Sequence, residues 1–202
     1  MKKLLGIVGT NSDQSTNRKL LQFIQRQYAD LAEIELVEIK DLPLFVKDNE
    51  IELPENVQIL SDKVEAADGV IISTPEYDHS VPAALMNALS WLSFKTHPFV
   101  DKPVMVVGAS YGTLGSSRAQ MHARQILDSP ELKARIMPSS EYLLDHSLQA
   151  FDAEGNLISQ EKVELLTGLF NDFLTFVEIT EHLTAAHAAN VKEADNFTWE
   201  DK

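Results

Sequence analysis

Apolar residues follow two rhythms along this chain, and the rhythms alternate. Short unbroken apolar runs at 4–8, 69–73 and 104–107 predict strands buried on both faces, and Ile34, Leu36, Val37 and Ile39 predict another. Between them apolar residues recur every three or four positions. Leu20, Leu21, Phe23, Ile24 and Tyr28 give a first helix, ending near residue 29. Val57, Leu60, Val64 and Ala67 give a second; Leu85, Leu89 and Trp91 give a third that starts near Pro82. A fourth helix is expected over 118–127, and Val163, Leu166, Phe170, Phe173, Leu174 and Val177 place a long one from 160 to about 180. The fifth strand has two candidates, 135–137 and 142–144. Residues 41–54 read as an acidic loop, and 151–157 as a turn between extended pieces.

Strands and helices in strict alternation imply a parallel sheet covered on both faces. Five strands make the α/β flavodoxin-like doubly wound sheet of order 2-1-3-4-5 the leading architecture. Residues 1–182 are expected to form this one domain. Residues 183–202, polar and alanine-containing, are expected to be a C-terminal extension or tail.

Charge narrows the partners. The 202 residues carry Asp+Glu 31 against Lys+Arg 17, a formal net charge of -14. Nucleic-acid affinity rests on basic groups neutralising phosphates, so no nucleic acid is expected as a partner, and anionic membrane surfaces fall with it. There is no cysteine, which removes disulfides, thiol nucleophiles and Cys-ligated metals. The amino-terminal apolar run is too short for a signal core, and no run approaches a membrane span. A cytoplasmic protein is expected.

In an open parallel sheet ligands sit beyond the carboxyl ends of the strands, where strand order reverses. That points to the loops after strands one, three and four. In the first, Gly9 is followed by polar residues 10–17 at the start of a helix, where free N–H groups and the helix dipole favour an anion such as a phosphate monoester. Simple capping by Ser15 or Thr16 is the alternative. Gly6 and Gly9 lack the third glycine of a dinucleotide fingerprint, and no Gly-Lys-Ser/Thr of a P-loop is present. In the second, Pro75 and Pro82 flank Glu76, Tyr77 and Asp78, a stiff shelf for a flat ring. In the third, residues 108–115 contain three glycines and Tyr111. This segment also matches the Gly-x-Ser-x-Gly elbow of serine hydrolases, with Asp145 and His146 following in the right order. A hydrolase using Ser110 is therefore an alternative. It is disfavoured because the elbow turns straight into a helix, whereas here the loop continues.

Together the loops resemble the NADPH-dependent FMN reductase family, which has the flavodoxin-like fold and includes quinone, azo-dye and chromate reductases. The family's Gly-Ser-x-Arg-x-x-Ser-x-Asn aligns with residues 9–17. Its Pro-Glu-Tyr-Asn-x-Ser-x-Pro and Leu-x-Asn-Ala-x-x-Trp align with residues 75–82 and 85–91, and its third motif with 102–120. The resemblance implies that Thr10, Ser12, Ser15 and Asn17 hold the FMN phosphate. It implies that Pro75, Glu76, Tyr77 and Asp78 meet the isoalloxazine ring, with Ser110, Tyr111 and Gly112 on its other side. It also implies NADPH or NADH as co-substrate and a small-molecule electron acceptor such as a quinone, azo compound, metal oxyanion or free flavin. Because the flavin performs the chemistry, no catalytic side chain is named. An FMN-binding electron carrier or redox sensor without NAD(P)H turnover, and a non-catalytic interaction protein, also fit the sequence.

Two positions depart from the family pattern: Ser12 stands where the family has arginine, and Asp78 where it has asparagine. His122 is expected to be structural, and His182 and His187 lack the spacing of a metal helix. By resemblance, helices near Trp91 and 118–127 pack on a second copy in a homodimer or homotetramer, which is expected to cover Trp91, Leu92 and Phe94.

Overall fold

The computed structural model describes residues 1–48 and 50–196. The strands are β1 (Lys2–Val8), β2 (Ala32–Glu38), β3 (Gly69–Ser73), β4 (Pro103–Ala109), β5 (Arg135–Ile136) and β6 (Tyr142–Leu144). All pair in parallel, in the order β2-β1-β3-β4-β5 with β6 also on β4. The helices are α1 (Thr16–Gln27), α2 (Glu55–Ala66), α3 (Ala83–Phe94), α4 (Ser117–Leu127), α5 (Gln160–Glu181) and α6 (His187–Asp195). This is the doubly wound flavodoxin-like order expected from the alternation.

The fifth strand differs from expectation, because both candidates form and share one edge. Arg135 and Ile136 pair with Pro103 and Val104, and Tyr142–Leu144 pair with Val107–Ala109. Between them the chain leaves the sheet. Arg124 of α4 anchors the excursion, donating from Nη1 to the Met137 carbonyl at 2.8 Å and from Nη2 to Ser140.

Alternation along each strand separates two apolar layers. Leu5, Ile7, Val70, Ile72, Val104 and Val106 face α2, α3 and α4, meeting Val64, Leu89 and Ala123. Leu4, Val8, Ile71, Met105 and Val107 face α1 and α5, meeting Leu20, Ile24, Phe170 and Phe173.

The loop over 41–54 has a role the sequence does not announce. Trp91 Nε1 donates to the Pro43 carbonyl at 2.8 Å, and Asn87 Nδ2 donates to the same oxygen at 2.9 Å. Asn87 Oδ1 accepts from the Phe45 amide at 2.7 Å, and the Phe45 ring meets Trp91 and Phe94 edge-on, with centroids 5.2 and 5.3 Å away. Trp91 and Leu92 are thus buried within the chain, each 1% exposed. The expectation that a second copy covers them is corrected: this loop and the core do so.

Beyond α5 the chain returns to the amino-terminal edge of the sheet. Asp101 accepts from His187 Nδ1 at 2.8 Å, Asn190 Nδ2 at 2.9 Å and Arg135 Nε at 3.1 Å, while Lys133 pairs with Glu193 at 2.8 Å. Burial pushes the Asp101 carboxyl up, but His187, Arg135 and Asn190 outweigh it and hold it below its ordinary value. Positions 197–202 of the expected extension lie outside the described residues. Among the described residues no helix is long and apolar enough to cross a membrane.

Candidate active site

The carboxyl ends of β3 and β4 meet at one buried side chain, Asn17. Its Oδ1 accepts from Ser73 Oγ and from the Ala109 amide, both at 2.9 Å, and its Nδ2 donates to the Ala109 carbonyl at 2.9 Å. The family resemblance implies a phosphate contact for this side chain; in the structure it instead fastens β3 and β4 to the start of α1.

Two backbone amides nevertheless remain at that helix start. Ser15 is the N-cap: its Oγ accepts from Arg18 N at 3.2 Å, and its carbonyl accepts from Lys19 N at 3.2 Å. Thr16 and Asn17, the first two helical residues, have no acceptor for their N–H groups among the described residues. Thr10 is buried, accepts from Ser12 N at 3.2 Å and lies 3.3 Å from Tyr77 Oη. Ser12 Oγ donates to the Gln14 carbonyl at 3.1 Å. Arg18 reaches back from α1 to this loop, but from behind. Its Nη1 donates to the carbonyls of Ser12 and Asp13 at 2.9 and 3.1 Å, and its Nε and Nη2 hold Glu38 bidentately at 2.5 and 2.8 Å.

The second loop is a hairpin in miniature. Tyr77 and Ser80 exchange backbone hydrogen bonds of 3.1 and 2.9 Å, and Asp78 and His79 between them have φ of 49° and 64°. Two left-handed central residues define a type I′ turn, which explains an asparagine in the family motif and tolerates Asp78. Glu76 accepts from Arg118 N and from Arg118 Nη1, each at 3.0 Å, so its carboxylate sits on the amino terminus of α4.

The third loop passes over α4 at Gly108. A Cβ there would lie 1.9 Å from Ser116 Oγ and 2.5 Å from the Thr74 carbonyl oxygen, so β3 and β4 approach α4 only because it is glycine. The loop is then pinned to β6 and the 3₁₀ turn Ser147–Gln149. Ser110 N donates to the Leu144 carbonyl at 2.9 Å, the Ser110 carbonyl accepts from Ser147 N at 3.0 Å, and the Gly112 carbonyl accepts from His146 N at 3.0 Å.

These loops enclose a cleft of about 510 Å³. Of the expected residues, Ser15, Asn17, Pro75, Glu76, Tyr77, Ser110, Tyr111 and Gly112 line it. Thr10, Ser12 and Asp78 do not: Thr10 is buried under Tyr77, Ser12 turns to Gln14, and Asp78 projects from the turn. Gln14, Thr16, Ala109, Thr113 and Leu114 also line it and were missed. Thr16 lay within the polar run, but nothing in the sequence singles out Thr113 or Leu114. One end of the cleft thus offers two open amides, the donor set for a phosphate monoester. The remainder is a gap between two backbone walls, with Tyr77 and Tyr111 at the mouth, suited to a flat heteroaromatic ring.

The hydrolase alternative does not survive this geometry. Ser110 Oγ donates to the Gly112 carbonyl at 3.3 Å, and among the described residues no hydrogen bond joins it to His146. Asp145 is held at about 2 by the hydrogen bonds from His146 and Lys162, a surface ion cluster rather than a buried triad partner.

Comparison with known proteins agrees. The model of the family described as NADPH-dependent FMN reductase matches residues 2–149. The NADH:(hydroxy)cinnamate reductase subunit CrdA of Vibrio ruber is 52% identical, covering 97% of this chain and 96% of its own. The NADH-dependent flavin reductase subunit 2 of Lactobacillus johnsonii is 46% identical, covering 87% of this chain and 97% of its own. Among solved structures, the flavoenzyme NAD(P)H:(acceptor) oxidoreductase FerB of Paracoccus denitrificans superimposes with a TM-score of 0.79 at 28% identity, covering 89% of this chain and 99% of that one. With motif, topology and cleft in accord, this chain belongs to the NADPH-dependent FMN reductase family and is an oxidoreductase working with NAD(P)H and FMN.

Proposed function

We propose that this chain takes electrons from NADH and passes them to a quinone or to a second flavin, one that is free or held by another subunit, rather than completing the reduction of a terminal organic substrate itself. The observation that carries the FMN site is the pair of open Thr16 and Asn17 amides at the end of a cleft of about 510 Å³ walled by backbone. In this reading those amides hold the phosphate, helped by the hydroxyl of Ser15. Residues 75–77 and 110–112 hold the ring from its two sides. When bound, FMN supplies the redox chemistry, accepting a hydride from the nicotinamide and releasing electrons to the acceptor. The protein's part is binding and orientation: Glu76 is committed to Arg118 and Ser110 to Gly112, so neither offers an acid or base.

The choice of NADH, and of a second flavin as one electron exit, is supported by the Vibrio ruber and Lactobacillus johnsonii relatives, each named as a subunit of an NADH-linked reductase. The proposal includes a cytoplasmic location, where NADH is produced, and assembly of two copies through α3 and α4. In a chain of net charge -14, α3 has no charged residue and α4 has no acidic one. Between them runs a groove of about 320 Å³ that includes Met86 and His122, beside an exposed Met121. Of the groove's lining residues only Glu131 is acidic, so repulsion between two acidic copies is low on this face.

Anaerobic titration of the FMN-loaded chain tests the reading. NADH should bleach the flavin band faster than NADPH does, and the chain alone should reduce benzoquinone and free FMN while leaving cinnamate intact. Reduction of cinnamate by the chain alone would overturn the electron-exit assignment. A bound flavin that never bleaches would favour the electron carrier instead.

A further inference from the structure

The wall formed by residues 75–77 ends in a turn that is costly to hold. Asp78 and His79 both occupy the left-handed region, φ 49° and 64°, where residues with side chains are disfavoured. A turn of this type prefers glycine second, and here histidine takes that place. Its own closure is limited to the reciprocal Tyr77–Ser80 pair.

The bracing comes from α4. Arg118 and His122 are one turn apart and share a helix face. Arg118 binds the Glu76 carboxylate through both N and Nη1, and His122 Nδ1 is joined to Ser80 Oγ by a 2.6 Å hydrogen bond in which either group can donate. The two contacts fall on either side of the strained pair. Each links residues 42 positions apart, so turn and helix lie side by side in one register. Glu76 is withdrawn from water, its side chain 11% exposed, and its charge is met by a helix N–H and a guanidinium.

The geometry points to Arg118 and His122 as positioning residues for FMN. Acting through Glu76 and Ser80, they fix the turn that carries Tyr77, and so set the gap between this wall and residues 110–112. The inference rests on the ring placement proposed above.

Quenching of FMN fluorescence by the apo chain reads the effect directly. His122→Ala, Ser80→Ala and Arg118→Ala should each weaken FMN binding about five- to tenfold, the loss of one net hydrogen bond. The Ser80→Ala/His122→Ala double variant should be no weaker than either single one, because both remove the same bond. His122→Asn, whose amide can stand in for Nδ1, should restore affinity to within about twofold, with the bound-flavin absorption band restored as well. If the variants only melt at lower temperature, with unchanged FMN affinity in the folded protein, the positioning role is refuted. Tyr77→Ala separates the two layers of argument. If it weakens FMN while His122→Ala does not, the ring placement stands and the brace falls. If neither does, the ring placement itself is wrong and the brace falls with it.

Discussion

Asn17→Ala should act on the fold before it acts on any ligand. The side chain is 2% exposed and makes three hydrogen bonds of 2.9 Å, two to the Ala109 backbone and one to Ser73 Oγ. Truncation strands a buried hydroxyl, a buried amide and a buried carbonyl at once. At about 1 kcal/mol or more for each, the loss is about 3–5 kcal/mol, partly offset if water enters. For a domain of this size that is a fall in melting temperature of about 10 °C. The assay is thermal or urea unfolding of the apo chain, so that cofactor linkage does not enter. Asn17→Asp sharpens the test. It keeps both acceptor bonds but sets a carboxylate oxygen against the Ala109 carbonyl, unless the carboxyl is protonated and donates. Its folded pKa is therefore raised. The stabilisation is present below the unfolded value and lost as pH rises through the folded one, so this variant should fall further behind the native chain at pH 8 than at pH 5. An apo Asn17→Ala chain as stable as the native one, with only FMN affinity reduced, would refute the clasp and return Asn17 to the phosphate.

Further outcomes follow from the same geometry. Trp91→Phe removes the donor to the Pro43 carbonyl; it should cost about 1 kcal/mol and speed trypsin cleavage after Lys47 by freeing the loop. Gly108→Ala should reduce soluble yield sharply, because overpacking costs about 3 kcal/mol or more, and adding Ser116→Ala should rescue it only in part, since the 2.5 Å clash with the Thr74 carbonyl remains. Asp101→Asn should raise hydrogen exchange across α6. In the native chain the same loosening should appear on acidification: the folded pKa of Asp101 is depressed, so its contribution is present above the ordinary carboxylate value and is lost as pH falls through the folded one.

Much of this architecture is legible in periodicity, because one strand or one helix face is a local pattern. The apolar run bounds Gly69–Ser73 to the residue, and α3 begins directly after the proline that announces it. What periodicity misses is contact between distant residues. Asn87 and Trp91 read as a motif, yet their partners Pro43 and Phe45 lie more than forty residues earlier, in a loop without rhythm. Both pieces of the split edge strand are legible as candidates, but that both pair with β4 is not, because two- and three-residue strands carry no alternation from which to decide between them. At the site, the polar run and the two prolines locate the cleft, but side-chain roles follow from composition only in part. Free N–H groups at this helix start are legible from the polar run, and Ser15 is legible as a cap; that Asn17 fastens, that Ser12 turns aside and that the open amides are those of Thr16 and Asn17 are not.

Arg18 decides how the site meets an anion. Both FMN and NADH are negatively charged, and the chain carries -14. An arginine free to meet the phosphate would make binding fall with salt. Here Arg18 is held bidentately by Glu38 and turned toward the carbonyls of Ser12 and Asp13, so its charge is answered inside the protein. Salt then acts chiefly on the long-range repulsion between an acidic protein and an anionic ligand. The screening length contracts from about 10 Å at 0.1 M to about 3 Å at 1 M. FMN affinity should therefore hold or rise modestly, by about twofold, between 50 and 500 mM NaCl. Fluorescence titration at fixed pH measures it. A severalfold loss of affinity with salt would mean that a cation, and not the amides of Thr16 and Asn17, carries the phosphate.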